Sequence, residues 1–198
     1  MGKAYANRKS VEDRPEGDFY ATPASLIWVA SKYIQKEFTD INILEPCAGK
    51  LAIADELKKL NYCVETNDLY MDGCNHKVDY LTPDSFTQYD YVISNPPFSL
   101  WDEFVNKSKS HCSKFMYLGR LNYFGTVDRY KSELWKNLKY VLPFNRYVDY
   151  RTPYRLDGLF NVGALCTGWF IWDMEYDGLP MVDVLNISQY AKLGQYKT

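Results

Sequence analysis

The chain has only two histidines and five cysteines in 198 residues, and neither type is grouped. The cysteines (47, 63, 74, 112 and 166) are odd in number and scattered. No CxxC and no Cys/His spacing occurs, which argues against a zinc site and against a disulfide framework. No metal is expected, and the thiols are expected to be reduced and mostly structural. Long apolar runs are missing too. Nothing approaches the roughly 18 residues that a membrane helix needs, so no membrane partner is expected. The opening stretch MGKAYANRKSVEDRPEGD is polar where a signal peptide would be apolar, which points to a cytoplasmic protein. The formal net charge is only -2, which gives no global nucleic-acid signature.

What is present is a core and an uneven distribution of charge. The hydrophobic fraction is 46%, enough for one domain over residues 18–198, with residues 1–17 reading as a flexible tail. Residues 18–104 hold six Lys or Arg against fourteen Asp or Glu, while residues 105–155 hold eleven against three. Such asymmetry is compatible with a pair of solvated faces or with a polyanionic partner.

ATPASLIWVASKYIQKEF carries apolar residues at helical spacing behind Thr22-Pro23, and LAIADELKKL, WDEFVNKSKSHC and TVDRYKSELWKNL read as further helices. INILEPCAGK, YCVETND, VDYLTPD, YDYVISNPP, KFMYLGRLNYF, RYVDYR and GALCTGWFIWDM read as strands, most of them running into polar or proline residues. Strands alternating with helices predict an α/β fold, a mostly parallel twisted sheet with helices on both faces. Ligands in such sheets bind at the carboxyl ends of the strands, where Glu45, Asp68, Asp79 and Asn95 are expected to lie. Trp169, Phe170 and Trp172 alternate as core residues of a strand. His76 and His111 have no partners in pattern and read as surface residues.

The stretch YVISNPPF is unusual. Three β-formers run into Asn95, and then Pro96 and Pro97 end the strand and stiffen the chain ahead of Phe98. The pair leaves an amide on one side of a stiff loop and a phenyl ring on the other. The turn EPCAGK is a weaker signal for a nucleotide or nucleoside ligand, being neither GxGxxG nor a P-loop. Asp68 suits a ribose, or an ordinary turn.

DFYATP, ILEPCAGKLAIADEL, VETNDL, DYL and SNPPF, in this order, resemble S-adenosylmethionine-dependent amino methyltransferases, above all the adenine-N6 DNA methyltransferases. The resemblance spans roughly residues 18 to 175 and implies a Rossmann-like methyltransferase fold with a C-terminal antiparallel strand. It implies that Tyr20, Thr22 and Pro23 meet the methionine end of S-adenosylmethionine. Glu45, Pro46, Ala48 and Gly49 would form the turn beneath it, with Asp68 on the ribose and Asp79 and Tyr80 at the adenine. Asn95 and the Pro96 carbonyl would accept the N–H bonds of the target amine, Pro97 would hold the loop, and Phe98 would stack on a base flipped from its helix. Leu51 stands where the family often has a second glycine.

The implied activity is methyl transfer to adenine N6 in DNA. The same chemistry on an RNA base or a protein glutamine is an alternative, and so is a non-catalytic methyltransferase-like subunit or cofactor-binding decoy. The compact form, without a separate recognition domain, is similar to phage enzymes of this type. DNA contact is then expected from Lys107, Lys109, Lys114, Arg120, Arg129 and Arg151, which would meet phosphates and carry little sequence information. Further base contacts would need a homodimer or a partner subunit.

Overall fold

The computed structural model describes residues 21–39, 42–150, 161 and 163–190. Its elements in chain order are α1 (Ala24–Glu37), β1 (Asn42–Glu45), α2 (Ala52–Lys59), β2 (Cys63–Thr66), β3 (Tyr91–Ser94), α3 (Trp101–Lys109), β4 (Lys114–Arg120), α4 (Val127–Lys131), β5 (Leu138–Pro143), β6 (Thr167–Asp173) and β7 (Met181–Val182). The seven strands form one sheet in the order β2-β1-β3-β4-β6-β5-β7. β1, β2, β3 and β4 are mutually parallel, and β6 runs antiparallel to both β4 and β5. The expected α/β class, with a late antiparallel strand in a mostly parallel sheet, is therefore what the chain adopts.

Alternation along each strand sorts the side chains to two faces. Ile43, Ile93, Met116, Leu118, Trp169 and Ile171 join Leu26, Ile27, Ile34 of α1 and Ile53, Leu57 of α2 in one core. Their neighbours Leu44, Val92, Phe115, Tyr117, Phe170 and Trp172 join Trp101, Phe104 and Val105 of α3 in the other. A sheet with helices on both faces must be apolar on both, which is why β6 is buried at every position. Trp169, Phe170 and Trp172 are core residues, as their alternation predicts.

Three sequence expectations fail here. VDYLTPD forms no strand: residues 77–90 run through turns. TVDRYKSELWKNL is helical only to Lys131, because Glu133 (φ 55°) and Asn137 (φ 63°) take the left-handed conformation and end the helical path. That break frees Leu138–Pro143 to form β5, a strand the sequence reading did not assign. RYVDYR supplies only an isolated bridge, Val148 to Leu165, within its described part. Among the described residues, no helix is long and apolar enough to cross a membrane.

Candidate functional site

β1, β2, β3 and β4 are parallel, so Glu45, Thr66, Ser94 and Arg120 end on the same edge of the sheet. β1 lies between β2 and β3, and the chain continues from β1 to one neighbour and then crosses to the other. A crevice for ligands opens at such a reversal.

The turn after β1 is tied down from several sides. Glu45 is 1% exposed, and its Oε2 accepts the Ala54 N–H at 2.8 Å, one of the amides at the start of α2 that no helical carbonyl can reach. Burial holds its carboxyl well above the usual glutamate range, the Ala54 N–H bond works against that, and the nearby charges of Asp55 and Asp68 add to it. Gly49 (φ 50°) and Leu51 (φ 63°) both occupy the left-handed region. The turn keeps the tight backbone that a second glycine would supply, with leucine bearing the steric cost. Pro46 and Ala48 are held through their backbones: Asn67 Nδ2 donates to the Pro46 carbonyl at 3.1 Å, and the Ala48 N–H donates to the Asn67 carbonyl at 2.9 Å.

Asp68 stands at the edge of this crevice, but its carboxylate is already engaged. Oδ2 accepts the Gly49 N–H, and Oδ1 accepts those of Tyr70 and Met71, each at 2.9 Å. A carboxylate offers about four acceptor positions, so a ribose would find room for one hydroxyl rather than two. Asp68 shapes the crevice at least as much as it lines it.

Asp79 is not at a strand end. It is exposed, and its Oδ1 accepts the Leu81 N–H within a turn. Asn67 nonetheless brings the preceding residue to the crevice, with its amide exchanging bonds with Val78 (Nδ2 to O 2.8 Å, N to Oδ1 2.9 Å). The Tyr80 side chain points elsewhere. It is buried, stacks on Phe104, and its hydroxyl pairs with Ser108 Oγ at 2.8 Å, so only its backbone is open to a ligand role.

Asn95 and Thr22 meet across 73 positions of sequence. Asn95 Nδ2 donates to Thr22 Oγ1 at 3.2 Å, which fixes the amide and leaves Oδ1 without a partner among the described residues. Pro23 is the residue before α1, and Thr22 makes no cap there, because its hydroxyl is turned to Asn95. Pro96 is buried, and Pro97 and Phe98 are half-buried. The Tyr123 hydroxyl donates to the Phe98 carbonyl at 3.3 Å, and the Arg120 guanidinium lies over the Phe98 ring, 4.9 Å from its centre. Beneath them, Trp101 lies so close to β4 that a Cβ on Gly119 would meet its ring at 2.9 Å. Trp101 Nε1 donates to the Leu118 carbonyl at 2.9 Å, which anchors the start of α3 below the loop.

The basic residues are mostly placed away from this edge. α3 runs back toward the amino ends of the strands, since it links β3 to the parallel β4, so Lys107 and Lys109 in its last turn lie at the far side. Lys107 donates to the carbonyls of Thr82 and Pro83, and Lys109 to those of Glu133 and Leu134. Lys114 opens β4 at that same far edge, among Lys139, Glu37 and Asp173, with Lys114 Nζ 3.4 Å from Glu37 and 3.5 Å from Asp173. It is a member of an ion network at that edge. Arg129 is on the carboxyl side, but Asp102 holds its Nε at 2.8 and 3.0 Å. Arg120 alone of the five lies beside the Asn95 loop. Tyr20 and Arg151 fall outside the described residues.

Sequence reasoning missed Asn67, whose side chain joins three segments and whose only signal was its place before Asp68. It also missed Leu69, Tyr70 and Val78, apolar side chains exposed around the end of β2, where nothing in their spacing marks them.

No protein-family model matches the chain, and no curated protein matches it in sequence. Solved structures resemble it in fold. A candidate RNA methyltransferase from Pyrococcus horikoshii is 16% identical, with a TM-score of 0.53 over 81% of this chain and 90% of its own. The modification subunit of a candidate type I restriction enzyme from Vibrio vulnificus YJ016 is 13% identical, with a TM-score of 0.54 over 85% of this chain, which spans about half (48%) of that one. The 23S rRNA methyltransferase ErmE is 14% identical, with a TM-score of 0.53 over 89% of this chain and 77% of its own. The chain therefore has the Rossmann-like α/β fold found in these methyltransferases.

Proposed function

We propose that this chain transfers a methyl group from S-adenosylmethionine to the exocyclic N6 amine of adenine in DNA. The observation that carries the reading is Asn95. It stands in an Asn-Pro-Pro-Phe loop at the carboxyl end of the central β3, with its amide fixed by Thr22 and its Oδ1 left to accept. The choice of adenine in DNA over another amine rests on the order of sequence motifs.

The crevice residues fit the cofactor. The Gly49 turn lets the backbone approach closely, Asp68 keeps one acceptor position for a ribose hydroxyl, and Leu69, Tyr70 and Val78 offer exposed apolar surface to an adenine ring. Bound there, S-adenosylmethionine supplies a methyl group activated on a sulfonium. Asn95 Oδ1 and the Pro96 carbonyl accept the two N–H bonds of the target amine, and the two prolines hold those acceptors in place. Both acceptors bind better as the nitrogen becomes tetrahedral, so their stabilisation grows toward the transition state. Phe98 holds the base face-on once it is out of its stack.

The test is to digest DNA and RNA from cells expressing the chain to nucleosides and to measure N6-methyladenine against cells expressing Asn95→Ala. The modified nucleoside should appear in DNA and vanish with the variant. Its appearance in RNA alone, or in neither while a glutamine is methylated, would overturn the assignment to DNA.

A further inference from the structure

We propose that Arg120 binds the backbone phosphate adjoining the target base, so that the substrate is a nucleotide within a strand and not a free amine or a side-chain amide. This inference rests on the adenine reading above and narrows it.

Arg120 ends β4, and β4 runs three residues past the last register pair with β3, Ser94 to Tyr117. That overhang carries its guanidinium alongside the Asn95–Phe98 loop and over the Phe98 ring at 4.9 Å. Its Nε is buried with no hydrogen-bond acceptor. A buried donor without an acceptor is costly, and this one lies beside the loop at which a partner from outside would arrive. Asp102, at the start of α3, pairs with Arg129 and not with Arg120. Arg120 is thus a forked, permanent cation with no carboxylate among the described residues, and a phosphate is the anion whose geometry suits that fork.

The stacking gives this contact a second consequence. While the guanidinium covers Phe98, that face of the ring is closed to a base. Moving onto a phosphate satisfies the Nε–H and uncovers the ring, so phosphate capture and base stacking occur together. A glutamine side chain or a free purine carries no anion to draw the guanidinium away.

The experiment compares kcat/KM for a short oligodeoxynucleotide that the wild type methylates with that for versions carrying a neutral methylphosphonate 5′ or 3′ of the target adenine, for wild type and Arg120→Gln. One of the two replacements should cost the wild type roughly 10- to 100-fold, the range of a charge-assisted bond. Arg120→Gln should lose a similar factor on the natural strand and nothing further on the modified one. Calorimetric binding of S-adenosylmethionine by the variant controls for folding. Wild-type indifference to both replacements, or equal further losses in the variant, would overturn the role of Arg120 and leave the adenine reading standing. No transfer to any oligonucleotide by wild type would remove both.

Discussion

The Asn95 amide and the Thr22 hydroxyl lie 3.2 Å apart, joining the loop after β3 to the residue pair that precedes α1. The contact leaves Asn95 Oδ1 without a partner among the described residues and ties the entry of α1 to the loop after β3.

Asn95→Ala should lower methyl transfer by about a hundredfold or more, since it removes a preorganised acceptor, while calorimetric affinity for S-adenosylmethionine stays close to wild type. Thr22→Val should do less, about fivefold, the worth of one hydrogen bond near 1 kcal/mol. Wild-type turnover in Asn95→Ala would show that this side chain is not an acceptor for the amine.

Asp68 accepts three backbone N–H bonds, so Asp68→Ala should destabilise the protein even without cofactor. We expect a loss of at least about 2 kcal/mol in urea unfolding, the worth of a single bond to a charged group, which is about 1.5–3 kcal/mol. A variant with unchanged stability and weakened cofactor binding would make Asp68 a ligand residue alone.

Leu51 sits at φ 63°. Leu51→Gly should change stability by less than about 1 kcal/mol, because relief of the left-handed backbone, about 1 kcal/mol, offsets the lost burial of a half-exposed side chain. Leu51→Val keeps an apolar group but places a β-branched residue there, and should cost about 1–2 kcal/mol. The reverse order in urea unfolding would contradict the backbone account.

Burial raises the Glu45 carboxyl above its unfolded value. The folded protein then holds a proton that the unfolded chain releases, so this group's contribution to stability is complete below the unfolded pKa and is lost as pH rises through the folded one. Glu45→Gln retains an oxygen for the Ala54 N–H and does not titrate. Thermal unfolding of wild type should therefore gain on the variant as pH is lowered from neutral toward the ordinary glutamate range. A constant difference between the two across that range would rule this out.

Lys107→Ala/Lys109→Ala should leave the salt dependence of DNA binding unchanged, because both side chains lie at the amino edge of the sheet and bond to carbonyls there. Each phosphate contact that is lost changes the slope of log K against log salt by about 0.9. A slope reduced by one or two in the double variant would return the end of α3 to the nucleic-acid surface.

The sequence by itself determined the parallel strand and helix alternation, because a sheet covered on both faces needs apolar residues on both. It also determined the Asn-Pro-Pro-Phe loop, because proline restricts the backbone wherever it stands. Local chemistry was enough for both. It misjudged 126–143, where residues in the left-handed conformation at Glu133 and Asn137 override a helical pattern and release β5. Charge along the chain was silent on placement, since counting Lys and Arg along 105–155 says nothing about which edge of the sheet a helix ends on. Only the tertiary structure moved Lys107, Lys109 and Lys114 to the far edge, paired Arg129 with Asp102, and left Arg120 over Phe98. It alone joined Thr22 to Asn95 and gave the Asn67 side chain its three bonds to Pro46 and Val78, because contacts between residues far apart in sequence depend on strand order and register, which no local pattern encodes.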